Sequence, residues 1–121
     1  MKTLGLIEVI LFVKDMEKMV RFYRDVLDLP LSSPGRQDHS KKDWVAFNSG
    51  NCTLALHSGG RGDIGINAPK IVFQVDDIKS ARFQLIEQGV ATSDIRSPAP
   101  GIQVCDAKDP EGNAFSIEEQ S

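Results

Sequence analysis

Four side chains on separate predicted strands carry groups that could bind a ligand or transfer protons: Glu8, His57, Lys70 and Glu118. Carboxylates and an imidazole can hold a divalent metal ion or serve as acid and base. A protonated lysine has only donors, so Lys70 would repel such an ion, and we predict that it pairs with Glu8 instead. An ordinary role as a surface or strand-end charge stays open for each of the four.

These residues lie in a structural unit that the chain contains twice. Residues 6–13 are mostly apolar and enriched in β-branched side chains, which predicts a strand. Asp15 then suits the N-cap of an amphipathic helix from Met16 to Leu29, which must end before Pro30. The same plan returns at residues 70–89, where Lys70 takes the place of Glu8 and Asp77 that of Asp15.

The rest of each unit reads as short strands joined by turns. In the first unit we predict strands at 29–33, 44–48 and 52–58, with a loop at 34–43. In the second we predict strands at 90–96, 102–107 and 114–119, with turns at 97–101 and 109–113. Each unit is therefore predicted to be β-α-β-β-β, and the fold class to be α+β.

The whole chain, 1–121, is predicted to form one domain. Its first module covers about 5–58, a glycine-rich linker covers 59–68, and its second module covers about 69–119. We expect a groove between the two modules, and we expect the functional site to lie in that groove.

Composition excludes several classes of protein. The net charge of −3 and pI near 5.3 argue against nucleic acid as a partner, since that requires a basic face. No apolar run is long enough to cross a membrane, and no export signal is evident, so we expect a cytoplasmic location. Cys52 and Cys105 favour free buried thiols over a disulfide.

Two motifs carry a resemblance to a known family. One is the segment from Val13 to Leu29, which contains Phe22-Tyr23-Arg24-Asp25-Val26-Leu27-Asp28-Leu29, and the other is Asp109-Pro110-Glu111-Gly112-Asn113. With the duplicated β-α-β-β-β plan, the sequence resembles the vicinal oxygen chelate superfamily, which includes glyoxalase I, bleomycin-resistance and fosfomycin-resistance proteins and extradiol dioxygenases. The resemblance implies paired modules whose sheets curl around a pocket, usually in a homodimer.

Strand alternation selects the side chains that face such a groove. If Val9, Leu11 and Val13 pack on the helix, residues of the opposite parity face the ligand. Trp44 is preferred over Phe47 because its amphipathic ring suits an aromatic ligand wall. The predicted ligand-binding residues are Glu8, Phe12, Trp44, His57, Lys70 and Glu118.

The resemblance also implies four metal-ligand positions, and most of them are altered here. They hold Glu8, Ala55, Lys70 and Ser116, of which only Glu8 can bind a metal as it stands. His57 and Glu118 lie two residues further along their strands and could form a shifted site with Glu8. We expect no metal, with this shifted site as the alternative.

Three functions therefore remain open. The first is a module that binds a small organic molecule without a metal cofactor. The second is a lyase, isomerase or dioxygenase in which Zn, Ni, Fe or Mn chelates substrate oxygens and Glu8 is a ligand or base. The third is a dimeric interaction domain without catalysis. The sequence alone leaves enzymatic activity open, together with the identity of the ligand.

Overall fold

The computed structural model describes residues 1–2, 4, 6–32, 43–60 and 64–121 of the chain. These residues divide into two compact units, Met1–Ile64 and Gly65–Ser121, called module 1 and module 2 below. Most of the loop predicted at 34–43 lies outside the described residues. The assignment of both modules to one domain stays a prediction.

Module 1 is a three-stranded sheet with a helix on one face. Its strands are β1 (Glu8–Val13), β2 (Trp44–Asn48) and β3 (Thr53–Ser58). They lie in the order β1-β3-β2, with β1 parallel and β2 antiparallel to β3. The helix α1 (Met16–Arg21) begins where the sequence predicts, because the Asp15 carboxylate accepts a hydrogen bond from the Lys18 backbone N–H at 3.0 Å.

The first helix differs from the prediction in its second half. It continues as a π-helical turn, Phe22–Val26, in which the Leu27 N–H donates to the Phe22 carbonyl. The consecutive Phe22 and Tyr23 rings are both buried and lie edge to face, with centroids 5.2 Å apart. The predicted extension of the helix to Leu29 is therefore wrong.

Asp28 ends this segment in the left-handed backbone conformation, with φ of 56°. The Leu29 N–H then donates to the Tyr23 carbonyl at 3.0 Å, which closes the last turn. Aspartate tolerates this conformation better than most residues, and a β-branched residue tolerates it poorly.

Asp28→Val is expected to lower the free energy of unfolding by about 1–2 kcal/mol, because the β-branched side chain strains the left-handed backbone. Urea denaturation would measure this loss. Asp28→Gly is the control, since glycine takes the same φ without strain. A loss of equal size in both variants would contradict the explanation.

The strand predicted at 29–33 is reduced to a single bridge between Leu31 and Phe47. The Ser32 N–H donates to Ala46, and the Asn48 N–H donates to Pro30, so this segment still lies along β2. Residue 33 lies outside the described residues. Within the part that the structure describes, module 1 thus has one strand fewer than predicted.

Module 2 is a four-stranded sheet with a longer helix. Its elements are β4 (Ile71–Gln74), α2 (Ile78–Glu87), β5 (Arg96–Ala99), β6 (Ile102–Lys108) and β7 (Ala114–Gln120). The strand order is β4-β7-β6-β5, with β4 parallel to β7 and the other pairs antiparallel. Asp77 caps α2 as predicted, since its carboxylate accepts from the Ser80 N–H at 3.1 Å.

The second strand of module 2 lies later in the chain than predicted. Within the predicted strand 90–96, Thr92 forms an isolated bridge to Ala107, and Arg96, the last residue, begins β5 and pairs with Val104. The strand β5 instead occupies most of the predicted turn 97–101. Pro98 is tolerated there because β5 is an edge strand, and the pairing with β6 shifts register between Arg96 and Ala99.

The turn between β6 and β7 is built around the buried carboxylate of Asp109. It accepts from the Glu111 N–H, the Asn113 N–H and the Asn113 side-chain amide at 2.8–2.9 Å. Gly65 lies against this turn, and a Cβ there would come within 2.4 Å of the Glu111 carbonyl oxygen. The predicted turn at 109–113 is present, and it fixes how β6 and β7 pair.

Each sheet buries one face against its own helix. In module 1 the buried side chains include Leu11, Val13 and Phe47, and the Phe47 ring lies 6.2 Å from that of Tyr23. In module 2 they include Phe115 and Ile117. The α+β fold class with two helices is confirmed, and no helix among the described residues is long and apolar enough to span a membrane.

Candidate functional site

An aromatic row crosses the face of the module 1 sheet opposite the helix. Phe12, His57 and Trp44 occupy one row because His57 is paired with Phe12 on one side and Trp44 on the other. The His57 ring lies 5.2 Å from Phe12 and 5.9 Å from Trp44, in tilted and edge-to-face geometry. Phe12 is 54% exposed. This row offers stacking surface to a planar molecule.

Small side chains lie directly beside the aromatic row. Ala55 and Ala46 are paired with each other in the next row, and both are buried. Ile10 completes this second row and is exposed. Because Ala46 and Ala55 are buried, Ile10 is the part of this second row that is open to a ligand.

His57 is oriented by the backbone. Its Nδ1 lies 2.7 Å from the Ser58 carbonyl oxygen, a distance at which a protonated Nδ1 donates a hydrogen bond. In that tautomer Nε2 is the acceptor. The imidazole can therefore accept a hydrogen bond from a ligand beside Phe12 and Trp44.

Glu8 lies at the other end of the same face, paired with Thr53. One of its carboxylate oxygens, Oε1, is buried and has no hydrogen-bond partner among the described residues. Phe12, in the aromatic row, follows Glu8 by four residue steps along β1, which is about 13 Å in an extended strand. A metal ion shared by Glu8 and His57 would require both side chains to extend toward each other along this face, and the shifted site stays a prediction.

An open pocket of about 590 Å³ lies at the end of module 1. It is lined by Ile7, Leu31, Asn48, Cys52 and Thr53, among others. None of the predicted site residues contributes to it. Cys52 and Cys105 are both free thiols, as predicted.

The corresponding face of module 2 carries a charged network centred on Asp106. The Lys70 ammonium donates to Asp106 Oδ1 at 2.8 Å, and the Ser116 hydroxyl donates to the same oxygen at 2.5 Å. The Arg96 guanidinium binds the other oxygen, Oδ2, and its second terminal nitrogen lies 3.5 Å from Oδ1. Ser116 is fully buried and so anchors the carboxylate from beneath.

These donors hold the pKa of the Asp106 carboxyl well below its usual range. The hydrogen bond from Lys70 contributes most, followed by that from Ser116, while that from Arg96 contributes less. Partial burial opposes them. Asp106 is therefore ionised whenever the module is folded at ordinary pH.

Asp106 and Arg96 are the site residues that the sequence analysis missed. The turn at 109–113 pairs Lys108 with Ala114. Counting two residues back along β6 and two forward along β7 places Asp106 beside Ser116. That count was possible from the sequence. Arg96 gave no such signal, because no pairing partner was predicted for the strand 90–96 in which it lay.

The predicted partner of Lys70 was Glu8, and the structure provides Lys70 with Asp106 in its own module. A contact between Lys70 and Glu8 stays a prediction. Glu118, the remaining predicted site residue, lies on the same face as Ser116 and accepts from the Gln120 side-chain amide at 2.7 Å. The structure thus brings together Phe12, Trp44 and His57 in one module, and Lys70 and Ser116 in the other.

The four positions at which the resemblance implies metal ligands do not fit a metal ion. Ala55 has no ligating side-chain atom, and both Lys70 and Ser116 donate to Asp106. Only the Glu8 carboxylate could bind a cation, whereas a protein site needs about three ligands. Among the described residues, no group of three or more His, Cys, Asp or Glu side chains could hold a metal ion.

Solved structures with the same fold cover nearly the whole chain. VPC_CASS1, from the mobile metagenome of V. Pseudocholerae, is 26% identical with a TM-score of 0.75, and the match covers 100% of this chain and 98% of that one. A glyoxalase family protein from Bacillus anthracis is 19% identical with a TM-score of 0.81, covering 99% and 98%. TnmS3, an antibiotic binding protein from Streptomyces sp. CB03234, is 21% identical with a TM-score of 0.79, covering 100% and 99%.

No curated protein matches the chain. The sequence model of one family matches residues 5–117, which is nearly the full length. This match includes both motifs that suggested the resemblance and all of the predicted site residues except Glu118. The chain belongs to the Glyoxalase/Bleomycin resistance protein/Dioxygenase superfamily.

Proposed function

We propose that this protein binds a small organic molecule without a full metal site, in the groove that the family resemblance implies between paired modules. One observation carries the proposal: at two of the four positions where the family places metal ligands, the side chains of Lys70 and Ser116 donate hydrogen bonds to Asp106. At a third position, the Ala55 side chain has no atom that could ligate a metal ion. Three of the four positions therefore offer a metal ion no ligand, and in the proposed site the Lys70 ammonium supplies positive charge in place of that ion.

The aromatic row supports an organic ligand with a planar part. Phe12 is exposed, and the His57 ring lies between the rings of Phe12 and Trp44. The three rings thus form one continuous aromatic row. Aromatic pairs of this kind contribute about 0.5–1.5 kcal/mol beyond the area that they bury. The antibiotic-binding role of TnmS3 is compatible with such a ligand, although at 21% identity that likeness shows the fold alone.

The emission of Trp44, the single tryptophan, provides a direct test. A panel of planar aromatic compounds should contain members that change this emission saturably. Phe12→Ala should weaken their binding about three- to tenfold, which is the loss of one stacking partner. Phe83→Ala, at an exposed position of α2, is the matched control and should leave binding unchanged. If Phe12→Ala binds as tightly as the unchanged protein, the proposed stacking surface is wrong.

A second candidate is the metal-dependent lyase, isomerase or dioxygenase, and Glu8 is the observation in its favour. A buried carboxylate oxygen without a partner among the described residues is costly, and a Zn, Ni, Fe or Mn ion would compensate for it. Under this candidate Glu8→Gln abolishes metal-dependent turnover. A hydrogen-bond donor of an organic ligand would satisfy the same oxygen, which keeps the metal-free proposal ahead.

The pairing of modules, within one chain or between the chains of a homodimer, is part of the same proposal. A dimeric interaction domain without a ligand is the third candidate. It predicts that none of the aromatic panel changes the emission of Trp44.

A further inference from the structure

The charged face of module 2 has binding capacity that its internal contacts do not use. The Lys70 ammonium has three N–H donors and makes one hydrogen bond among the described residues, to Asp106. The Arg96 guanidinium has five and reaches the same carboxylate. The two side chains are 44% and 49% exposed, so their remaining donors are open to a ligand.

The network is held in place before any ligand arrives. Asp106 fixes both cations, and the fully buried Ser116 hydroxyl fixes Asp106. Long basic side chains normally lose conformational entropy when they bind a ligand. Here the contacts with Asp106 restrict both side chains in the folded protein, so less entropy is lost on binding. This distinguishes the pair from freely moving surface lysines.

The net charge of the face favours an anion. The hydrogen bond to Asp106 places Lys70 on this face, and strand pairing and alternation place Arg96 and Lys108 there with the carboxylates of Asp106 and Glu118. Three cations therefore face two anions. Lysine and arginine are also the side chains that best recognise carboxylate and phosphate groups, arginine through its planar fork.

We propose that Lys70 and Arg96, positioned by Asp106 and Ser116, form a binding site for the oxyanion group of a ligand on this face of module 2. Carboxylate, phosphate and sulfate groups share the required chemistry. If the protein binds a small organic molecule, as proposed above, this site predicts that the molecule is an organic anion. That prediction rests on the proposed function.

Titration with inorganic phosphate tests the site in the full chain. In ¹⁵N NMR spectra, saturable shifts are expected at the amides of Asp106 and Ser116 and at the Arg96 side chain. Lys70→Met should weaken phosphate binding about tenfold, the loss of one charge-assisted hydrogen bond. Arg96→Gln should do the same, and Lys79→Met, on the exposed surface of α2, is the control and should bind as the unchanged protein does.

Two results would overturn the oxyanion site. One is that phosphate produces no shift beyond that of sodium chloride at equal ionic strength, and the other is that Lys70→Met and Arg96→Gln both bind phosphate normally. Phosphate has no aromatic surface, so these outcomes are independent of the Trp44 emission that tests the proposed function. Phenyl phosphate tests whether the oxyanion site belongs to an organic ligand, because an organic anion should then bind at least as tightly as inorganic phosphate. Weaker binding of phenyl phosphate would contradict the prediction that the ligand is an organic anion.

Discussion

Replacing Asp109 by alanine is expected to lower the free energy of unfolding by about 3 kcal/mol. The Asp109 carboxylate is 5% exposed and accepts three N–H groups from Glu111 and Asn113. Alanine would leave these donors without an acceptor in the interior, and each buried donor left unpaired costs about 1–3 kcal/mol. Partial relaxation of the turn toward water keeps the total near the lower end of the sum.

Thermal or urea denaturation would measure this loss. Asp76→Ala is the matched control, since Asp76 is exposed and precedes α2, and its free energy of unfolding should change by less than about 0.5 kcal/mol. The same turn fixes the pairing of β6 with β7, so the variant should also disturb the network at Asp106. A loss no greater in Asp109→Ala than in Asp76→Ala would show that the turn does not depend on this carboxylate.

Asp106→Asn is expected to lower the free energy of unfolding by about 2 kcal/mol at neutral pH. The amide retains one acceptor oxygen but presents an NH₂ group to the cations that the carboxylate now binds. Lys70 and Arg96 then lie close together without a negative charge between them. The estimate rests on the lost charge-assisted hydrogen bonds and is kept small because the Asp106 side chain is 35% exposed.

The effect of Asp106→Asn should depend on pH in a definite direction. The donors lower the pKa of Asp106 in the folded state, so its ionised form contributes stability above the unfolded pKa of about 3.9. That contribution is lost as the pH falls through the lower folded value. The difference in stability between the unchanged protein and Asp106→Asn should therefore be largest near neutral pH and shrink below about pH 4.

Asp94→Asn is the control for this experiment. Asp94 forms an exposed ion pair with Arg82, which is expected to contribute less than about 1 kcal/mol. Denaturation curves from pH 7 to pH 2 would compare the three proteins. A difference between the unchanged protein and Asp106→Asn that stays constant over this range would contradict the account of the Asp106 network.

Local sequence signals predicted the parts of the fold that depend on a few neighbouring residues. Asp15 and Asp77 cap the two helices, and strand alternation separates the buried Phe47 from Trp44. A capping carboxylate acts within its own turn, and alternation follows from the pleat of a single strand. Both are therefore visible in a sequence without knowledge of the tertiary structure.

The parts that were missed depend on pairing between distant segments. Pro98 read as a turn signal, and only its place on an edge strand makes it compatible with β5. Asp106 was not predicted as a partner of Lys70, because the pairing of β6 with β7 places it in the network. The first helix continues as a π-helical turn at Phe22 that contains two consecutive buried aromatic rings, and the helical pattern gave no indication of this turn.

The central claim is that the protein's own groups replace the metal ion at the family's ligand positions. Native mass spectrometry of the protein incubated with Zn, Ni, Fe(II) and Mn tests this claim most directly, with Glu8→Gln measured beside it. The account predicts the mass of the metal-free chain for both proteins at every ion. One ion bound per chain in the unchanged protein, and lost in Glu8→Gln, would contradict it.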